Sequence, residues 1–529
     1  MTEFFSGIAV TLIGNLTAPS YRYAWLLSII SNLIGLVADV GLGIILFTLA
    51  LKLITLPLDI FSRASMKKNA LKMELMRDDL EKLQKQYANN KQLYQQKMMA
   101  LYKKNGYSAL MPCLPTIVTL VFFIIVIGAF NSYTKKADFE VFQKMGAAYD
   151  SSIELCIEDG TVIKPDENKD EYYLNIEKAV NEAYSGYFNA DTSREDYKYN
   201  IYCYTLTEDG YNNLKKKYAE TLIDYFTENG DFNYDGEKLK GYLNTYAQDK
   251  FIKNCGVEIS VLESEKAIIK SGNYYVINNG IKLKELLGSK SGADLINADG
   301  VFDYNSYLTA EEKETTAKAA LNEEIITLAL KEYKDENVAG KARLSDKESY
   351  EKNRSKSVVF PWVKNLWQVD SPFKPAIPDY ANLKTTLGAN CIQEGQYKEL
   401  TYELSEYRQT GFGKGNGWYI LVALSILTMF ASTLIMNKTQ KTQMELSSVD
   451  GANGTAAMQQ KMMTWMMPVM FGIFAFIYSA GFSIYMVTSS ILSTGFTLLI
   501  NLCVEKSFKN KINKQVSEEN SKARYGKRR

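Results

Sequence analysis

The chain has 529 residues, contains no histidine and carries a formal net charge of +1. Without histidine it lacks the usual general base, the histidine-based triads and the common zinc ligands. A charge so close to zero gives no reason to expect direct binding to DNA. The sequence has no Walker-type phosphate loop and no nucleophile elbow, and GFGKGNG (411–417) is typical of a flexible linker. We therefore expect neither an enzyme nor a cofactor-binding protein.

The N-terminal residues 1–37 are predicted to lie outside the membrane or at its surface. Residues 1–17 have no basic n-region and no clean cleavage site, so no signal peptide is predicted. The stretch 23–40 is apolar, but Ser28 and Asp39 are among the polar residues that interrupt it. An interfacial helix leading into the first span fits this pattern better than a separate span.

Five apolar runs are long enough to cross a bilayer as helices, which takes about 20 residues, although about 17 are tolerated. The predicted spans are 38–58, 109–131, 417–436, 463–479 and 482–503. This pattern predicts an α-helical polytopic membrane protein with a five-helix core.

The charges of the connecting segments orient these spans. The segment 59–108 carries eleven Lys and Arg residues against five Asp and Glu, and the tail 505–529 carries nine against three. Basic segments stay in the cytoplasm. The predicted topology has the N-terminus and 132–416 outside, with 437–462 and the C-terminal tail (504–529) inside.

The cytoplasmic segment 59–108 is predicted to form a helical hairpin. Its apolar residues follow heptad spacing on two arms, and residues 88–90 are typical of the turn between the arms. Two interpretations remain open: a solvated linker, or a docking arm for a nascent chain, a ribosome or anionic lipid. The predicted contact residues are Met73, Met76, Leu80, Leu83, Tyr87, Tyr94 and Met98.

The outside segment 132–416 is predicted to form an inserted domain of the α+β class. A helix is indicated at 309–335, where a threonine followed three residues later by a glutamate forms a capping box. The stretch NYYVINNGIKL (273–283) predicts a β-hairpin with its turn at Asn279 and Gly280.

The cysteines of this domain have alternative interpretations. Its four cysteines, an even number, are compatible with disulfides in three pairings or with unpaired buried thiols; they are Cys156, Cys203, Cys255 and Cys391.

The stretch DFNYDG (231–236) places Asp231, Asn233 and Asp235 at alternate positions, as in a calcium-binding loop. Tyr242 stands where such a loop needs a bidentate glutamate. A polar turn is therefore favoured over a calcium site.

Lys52 lies within the apolar stretch GIILFTLALKLITLPL (43–58). A lysine at the centre of a span costs about 2.5–3.5 kcal/mol on insertion scales. The ammonium group either reaches the cytoplasmic end of the span along its own side chain or faces a water-filled cavity between helices. Hydroxyl-bearing residues in other spans favour the cavity; they include Thr116, Thr119, Ser425, Thr428, Ser432, Thr488, Ser489 and Ser490.

Three stretches resemble the YidC/Oxa/Alb family of membrane protein insertases. They are GLGIILFTLALKLITLPL (41–58), KQLYQQKMMALYKKNGYSALMPCLPTIVTLVFF (91–123) and MQQKMMTWMMPVMFGIFAFIYSAGFSIYMVTSSILS (458–493). Their order and spacing match the family over about 38–131 and 417–505, whereas the inserted domain is not covered.

The resemblance implies a hydrophilic groove that is open to the cytosol and lipid but closed on the outside. Lys52 matches the family's basic groove residue, and Thr55, Tyr485 and Met486 complete the predicted groove. The implied function is the insertion of nascent membrane proteins in the bacterial cell membrane, without hydrolysis of a nucleotide. The ribosome, the signal recognition machinery, the Sec translocon and membrane lipids are further candidate partners.

The sequence departs from the family pattern at several positions. Lysine replaces the usual arginine at Lys52, Thr119 stands where many members have glutamine, and Met486 stands where many have an aromatic residue. The large insertion between the second and third spans is also unusual. A membrane-anchored extracellular binding module, or a channel or transporter, therefore remains an alternative function.

Overall fold

The computed structural model describes residues 7–106, 114–271, 273–388, 390–447, 466 and 468–526. The chain is mainly helical and divides into two compact units. The core unit comprises residues 15–145 and 347–529, and the inserted unit comprises the residues up to Gly14 together with 146–346.

The described residues form long helices, shorter helices and seven short strands. The α-helices are α1 Ala24–Ile34, α2 Val40–Leu75, α3 Arg77–Gln86, α4 Lys91–Lys104, α5 Leu114–Glu158, α6 Ile176–Ala183, α7 Glu208–Lys217, α8 Glu237–Asn254, α9 Ile259–Ser264, α10 Gly280–Leu287, α11 Tyr304–Tyr307, α12 Ala310–Lys334, α13 Gly340–Asn353, α14 Tyr380–Leu387, α15 Glu394–Leu400, α16 Ile420–Ser447, α17 Pro468–Ile477 and α18 Ala480–Gly526. The strands are β1 Ala9–Val10, β2 Val162–Ile163, β3 Tyr172–Leu174, β4 Phe188–Ala190, β5 Tyr204–Leu206, β6 Ile268–Ser271 and β7 Tyr274–Ile277.

Among the described residues, two helical stretches are long and apolar enough to cross a membrane: Val40–Phe61 within α2 and Ala480–Cys503 within α18. Shorter apolar stretches occupy Ala24–Ile34, Ile420–Ile435 and Pro468–Ile477. Except for Ala24–Ile34, these stretches overlap the predicted first, fifth, third and fourth spans. Part of the predicted second span, and most of the predicted loop 437–462, fall outside the described residues.

The long helices do not end where the apolar runs end. α2 passes through Pro57 and continues to Leu75, beyond the predicted boundary at residue 58. α5 has 45 residues, which corresponds to about 68 Å of helix. Lys, Met, Glu and Ala follow the apolar runs and are good helix formers, so they give the helices no signal to stop.

In the predicted interfacial helix at 23–40, α1 ends at Ile34, and a break of five residues separates it from α2. The C-cap residue of α1 is Gly35, whose backbone N–H donates to Ser31 O. Asp39 then lies at the start of α2, where its carboxylate accepts a hydrogen bond from Leu42 N at 2.9 Å. Asp39 is therefore a helix-capping residue, not part of an interfacial helix.

A large hydrophobic cluster of the core unit lies near the start of α2 and α18. Phe47 of α2, Phe130 of α5 and Phe482 of α18 are each 1% exposed and belong to this cluster. Leu366 and Trp367, from the segment before α14, pack into it as well. We call this group of side chains, which extends to Met486, the outer cluster, after the side of the membrane that the predicted topology gives it.

A buried carboxylate holds the start of α16. Asp370 accepts hydrogen bonds from Trp418 N at 2.8 Å and from Leu421 N at 2.7 Å. A Cβ at Gly417 would collide with this carboxylate, so only glycine fits there. Since the first N–H groups of a helix lack partners within it, Asp370 caps α16 from a distant part of the sequence.

The inserted unit contains three small antiparallel sheets, with strand orders β1-β3-β2, β4-β5 and β6-β7. The predicted capping box of α12 is confirmed, because Glu312 N donates to Thr309 Oγ1 at 3.3 Å and Thr309 N donates to the Glu312 side chain at 3.0 Å. The predicted turn at Asn279 and Gly280 is wrong. The hairpin is formed earlier, by β6 and β7, and Asn279 instead caps α10 by accepting from Lys282 N.

The inserted unit also contains a duplicated module that the sequence analysis missed. Each copy is a β-hairpin, a helix, a short 3-10 turn and a tight loop: β4-β5-α7 with 223–225, and β6-β7-α10 with 293–295. The loop sequences are GDFNY (230–234) and GVFDY (300–304), which have glycine, phenylalanine and tyrosine at the same places. Their glycines have φ angles of 87° and 80°. Matching backbone bonds close them: Asn233 N to Tyr225 O at 3.0 Å, and Asp303 N to Leu295 O at 2.8 Å.

The loop equivalence explains the apparent calcium motif. Asp231, Asn233 and Asp235 belong to a turn closed by its own backbone bonds. Among the residues that the structure describes, no group of three or more His, Cys, Asp or Glu side chains is arranged to hold a metal ion. The preference for a polar turn over a calcium site at this loop stays a prediction.

The four cysteines of the predicted inserted domain carry free, buried thiols. They are Cys156, Cys203, Cys255 and Cys391, of which the last belongs to the core unit. The disulfide alternative is therefore wrong for these residues.

Candidate functional site

Lys52 lies on a half-buried face of α2. Thr55 and Asp59, three and seven residues further on, are half-buried as well and share that helix face. The Thr55 hydroxyl donates to Lys52 O at 3.2 Å, and Asp59 is the acidic group whose charge acts on the amine. The neighbouring Leu53 and Ile54 are 53% and 71% exposed. The amine is thus on a different side of α2 from its most exposed apolar residues.

The side chains of Thr116 and Thr119 fall outside the described part of the chain. Only the helical backbone of α5 is given there. Their predicted place in the groove stays a prediction.

Several predicted groove hydroxyls form contacts between α16 and α18 instead. Ser425, Ser432 and Ser490 are 3%, 7% and 6% exposed. A buried hydroxyl in an apolar setting needs a hydrogen-bond partner, and these find partners across the helix pair. The contacts are Ser425 Oγ to Ser483 O at 3.3 Å, Ser490 Oγ to Thr428 O at 3.1 Å and Thr494 Oγ1 to Ser432 Oγ at 2.6 Å.

This arrangement corrects the interpretation of the hydroxyl-rich stretch. Ser425, Ser432 and Ser490 serve helix packing and do not face an open cavity. Thr488 and Ser489 remain half-buried on α18. The pattern of serines and threonines alone does not separate the two roles, because both require the same side chains.

Tyr485 and Met486 belong to the outer cluster and are 5% and 4% exposed. The Tyr485 ring lies 6.3 Å from that of Phe130 and 6.5 Å from that of Phe47. These residues therefore pack in an apolar cluster and do not line a polar surface. Phe47 is five residues before Lys52, about 7.5 Å along the helix axis, so these two residues lie about one and a half turns apart on α2.

Sequence reasoning missed the segment that completes the outer cluster. Trp367 packs against Phe130 with 6.1 Å between ring centroids and against Tyr133 with 5.3 Å. The apolar residues of PWVKNLW (361–367) within a polar region were the available signal. The segment thus covers the outer cluster with side chains from the predicted inserted domain.

A small cavity of about 160 Å³ adjoins the outer cluster. Phe130, Trp367 and Asp138 are among its lining residues. Asp138 is buried and accepts a hydrogen bond from Gln368 Nε2 at 2.8 Å. Burial raises the pKa of the Asp138 carboxyl to about 7, although its hydrogen bonds oppose the rise.

In the basic hairpin of α3 and α4, three of the predicted contact residues pack together, as the heptad spacing predicts. Met76 and Leu80 are 2% and 1% exposed, and Met98 packs against them. Tyr102, which the sequence analysis missed although it lies four residues after Met98, is 7% exposed in the same cluster.

The ends of the hairpin are fixed by polar contacts. Asn90 caps α4 by accepting from Leu93 N at 3.1 Å, and the Lys72 ammonium donates to Gly106 O. Leu83, Tyr87 and Tyr94 are half-buried, and the Met73 side chain falls outside the described residues.

These features define a helical membrane protein with polar groups inside its helix bundle. They are the apolar helices, the half-buried lysine of α2 and the hydroxyl contacts between α16 and α18. A family model described as "60Kd inner membrane protein" matches residues 30–176 and 349–507, more than half of the chain. The chain therefore belongs to this family, the YidC/Oxa/Alb family, and the predicted resemblance is confirmed.

Curated relatives carry the name membrane protein insertase YidC. The chain is 35% identical to that of Fusobacterium nucleatum over 102 residues, which is 19% of this chain and 48% of the relative. It is 34% identical to that of Clostridium perfringens over 104 residues, which is 20% of this chain and 42% of the relative. The matched segments thus span less than half the length of these relatives. No solved structure matches the chain.

Proposed function

We propose that the protein is a membrane protein insertase of the bacterial cell membrane. Its five predicted spans would hold a groove that is closed at the outer cluster and open toward the cytoplasm. The hydrophilic flank of a nascent membrane protein enters this groove, and the client's apolar segment then moves into lipid. Support comes from the family membership and from the names of the relatives.

The observation that carries the proposal is the half-buried face of Lys52, Thr55 and Asp59. An amine held on such a face attracts acidic residues of a client flank and offsets part of the free energy that they lose on leaving water. Burial of the client's apolar helix in lipid supplies the driving force. The residues involved form no covalent intermediate in this mechanism.

The proposed topology has the N-terminus outside and the C-terminus in the cytoplasm. It follows from the basic residues of 59–108 and of the tail. The hairpin α3–α4 would then face the ribosome or signal recognition machinery, and nascent membrane proteins are the proposed clients. Action beside the Sec translocon is compatible with this arrangement.

Charge reversal at Lys52 tests the proposal. Two clients that differ only in the acidity of the translocated flank are inserted by the full chain and by the Lys52→Glu variant. At 4 Å and an effective dielectric constant of 20, one charge pair contributes about 4 kcal/mol, and a third of that changes a rate about tenfold. We expect Lys52→Glu to slow the acidic-flank client at least about tenfold more than the neutral one.

Two matched variants control for folding and position. Lys52→Arg keeps the charge and should insert both clients normally, while Leu53→Glu places the acid on the exposed neighbouring position and should not discriminate between them. Equal slowing of both clients by Lys52→Glu, at equal protein levels, would rule out the electrostatic role.

A membrane-anchored binding module is the second candidate function. The inserted unit favours it, because the unit has a buried core of its own that includes Leu243, Phe251 and Ile296. If this function is the main one, Lys52→Glu should leave the biological activity intact, whereas removal of residues 159–339 should abolish it.

A further inference from the structure

Three exposed aromatic side chains form a cluster beside the start of α16. Phe373, Phe412 and Trp418 are 59%, 67% and 48% exposed. The Phe412 ring packs edge to face with that of Phe373, with centroids 5.4 Å apart, and is tilted against that of Trp418 at 5.9 Å. We call these three residues the aromatic patch. Contiguous exposed apolar side chains of this kind mark a surface that another phase or molecule covers.

The patch is held on a defined backbone. Gly411 N donates to Pro372 O at 2.6 Å, and Asn416 N donates to Lys374 O at 2.8 Å. The hydrogen bond from Trp418 N to the Asp370 carboxylate fixes the far end of the same loop. The three rings are therefore presented by two loops that are bonded to each other.

The patch continues into the exposed apolar faces of two helices. Tyr419 contacts the Phe373 ring at 6.4 Å and the Phe476 ring of α17 at 5.5 Å. Further along α16, Leu424 and Leu427 are 39% and 66% exposed. In the proposed topology these helix faces lie against acyl chains, so the patch begins where the acyl-chain region ends.

Two lysines border the patch. Lys374 follows Phe373 directly, and Lys414 follows Phe412 by two residues; both are exposed. Within the described ranges neither of them forms an ion pair. Aromatic rings at the end of a span, with lysines beside them, match the chemistry of the bilayer interface, where rings sit at headgroup depth and ammonium groups meet lipid phosphates.

We propose that the aromatic patch inserts into the outer leaflet at the level of the lipid glycerol groups, with Lys374 and Lys414 on anionic headgroups. The occupant of this surface is lipid because the patch is continuous with the lipid-facing sides of α16 and α17. The contact sets the depth at which α16 begins. Through Asp370, it also sets the depth of the segment that covers the outer cluster. This inference goes beyond the proposed insertase activity and holds whether or not the chain inserts clients.

Photo-crosslinking identifies what touches the patch. The photoreactive amino acid p-benzoylphenylalanine replaces Phe412 in the full chain, which is illuminated in native membranes. We expect adducts whose added mass is one phospholipid. The control position is Tyr402, an aromatic residue that is 60% exposed outside the patch; it should give severalfold fewer lipid adducts.

Other products would overturn the proposal. A cross-link to another protein or to a second copy of the chain at position 412 would assign the surface to that partner. Absence of any adduct, or equal lipid adducts at 402 and 412, would show that the patch has no specific contact with lipid.

The role of the lysines is tested in vesicles of phosphatidylcholine with and without phosphatidylglycerol. The lipid adduct at position 412 should increase when phosphatidylglycerol is present, and the double variant Lys374→Gln/Lys414→Gln should lose that increase. Equal yields in both vesicle types would overturn the anionic part of the proposal.

Discussion

The two ends of the apolar stretch of α2 are packed in different ways. Phe47 is 1% exposed among the rings of the outer cluster, whereas Lys52 and Asp59 lie on a half-buried face. Close-packed apolar side chains lose many contacts when they separate. Hydroxyl contacts between membrane helices, such as those between α16 and α18, average only about 0.6 kcal/mol each. We therefore expect the Phe47 end of this stretch to contribute more to stability than the end around Lys52.

Removal of the central ring of the outer cluster should have the largest effect. Phe130 contacts the rings of Phe47, Trp367 and Phe482. Phe130→Ala should lower the free energy of unfolding in detergent by about 3–5 kcal/mol, because it deletes a fully buried ring and leaves a cavity. Thermal unfolding followed by circular dichroism measures the change.

An exposed residue of the same core unit provides the control for Phe130. Leu427 is 66% exposed, so Leu427→Ala should change the free energy of unfolding by no more than about 0.5 kcal/mol. If both variants lowered the free energy of unfolding by similar amounts, the outer cluster would not be packed more stably than the rest of the core unit.

We expect Asp138 to make the free energy of unfolding depend on pH. Its carboxyl has a pKa of about 7 in the folded chain against an ordinary value of 3.8. Between these values the folded state binds more protons than the unfolded state, so the free energy of unfolding falls as pH rises, by up to about 1.4 kcal/mol per pH unit. Below about pH 4 and above about pH 7 this contribution becomes constant.

The Asp138→Asn variant isolates that contribution. Unfolding of both proteins is compared at pH 5 and pH 8. We expect the wild-type chain to be destabilised at pH 8 relative to pH 5, and the variant to lose most of this difference. An equal pH dependence in the variant would assign the titration to another group.

The smallest effect is expected at the contact between α16 and α18. Thr494→Val keeps the shape of the side chain but removes the hydroxyl that donates to Ser432 Oγ at 2.6 Å. The expected loss is about 0.6 kcal/mol and at most about 1.7 kcal/mol. Thr433→Val is the control, because among the described residues the Thr433 hydroxyl bonds within its own helix, to Met429 O.

A loss of more than about 2 kcal/mol for Thr494→Val would reverse the comparison. It would show that the hydroxyl contacts hold the helix pair as firmly as the aromatic rings hold the outer cluster.

The sequence was informative where the signal is local. Apolar runs located α2, α16 and α18, and the capping box located the start of α12, because each depends on residues within a few turns of one another. The hairpin packing of Met76 and Leu80 followed from heptad spacing for the same reason.

Long-range contacts were beyond the reach of these patterns. Trp367 contacts Phe130, and Asp370 caps α16, across separations that no periodicity describes. The serines of α16 and α18 were assigned to a groove because a hydroxyl in a span fits a wet surface and a helix contact equally well. Only the partner atom, such as Thr428 O for Ser490, separates the two.

The outer cluster has a consequence for the folding of the chain during its synthesis. It combines side chains from Ile30 to Met486, nearly the whole length of the chain. Synthesis at about 5–20 residues per second takes roughly 20–90 s to pass from Phe47 to Phe482. During that interval the earliest helices lack the rings of Phe482 and Tyr485, and a polypeptide truncated before α18 would keep the packed hairpin α3–α4 but only part of the outer cluster.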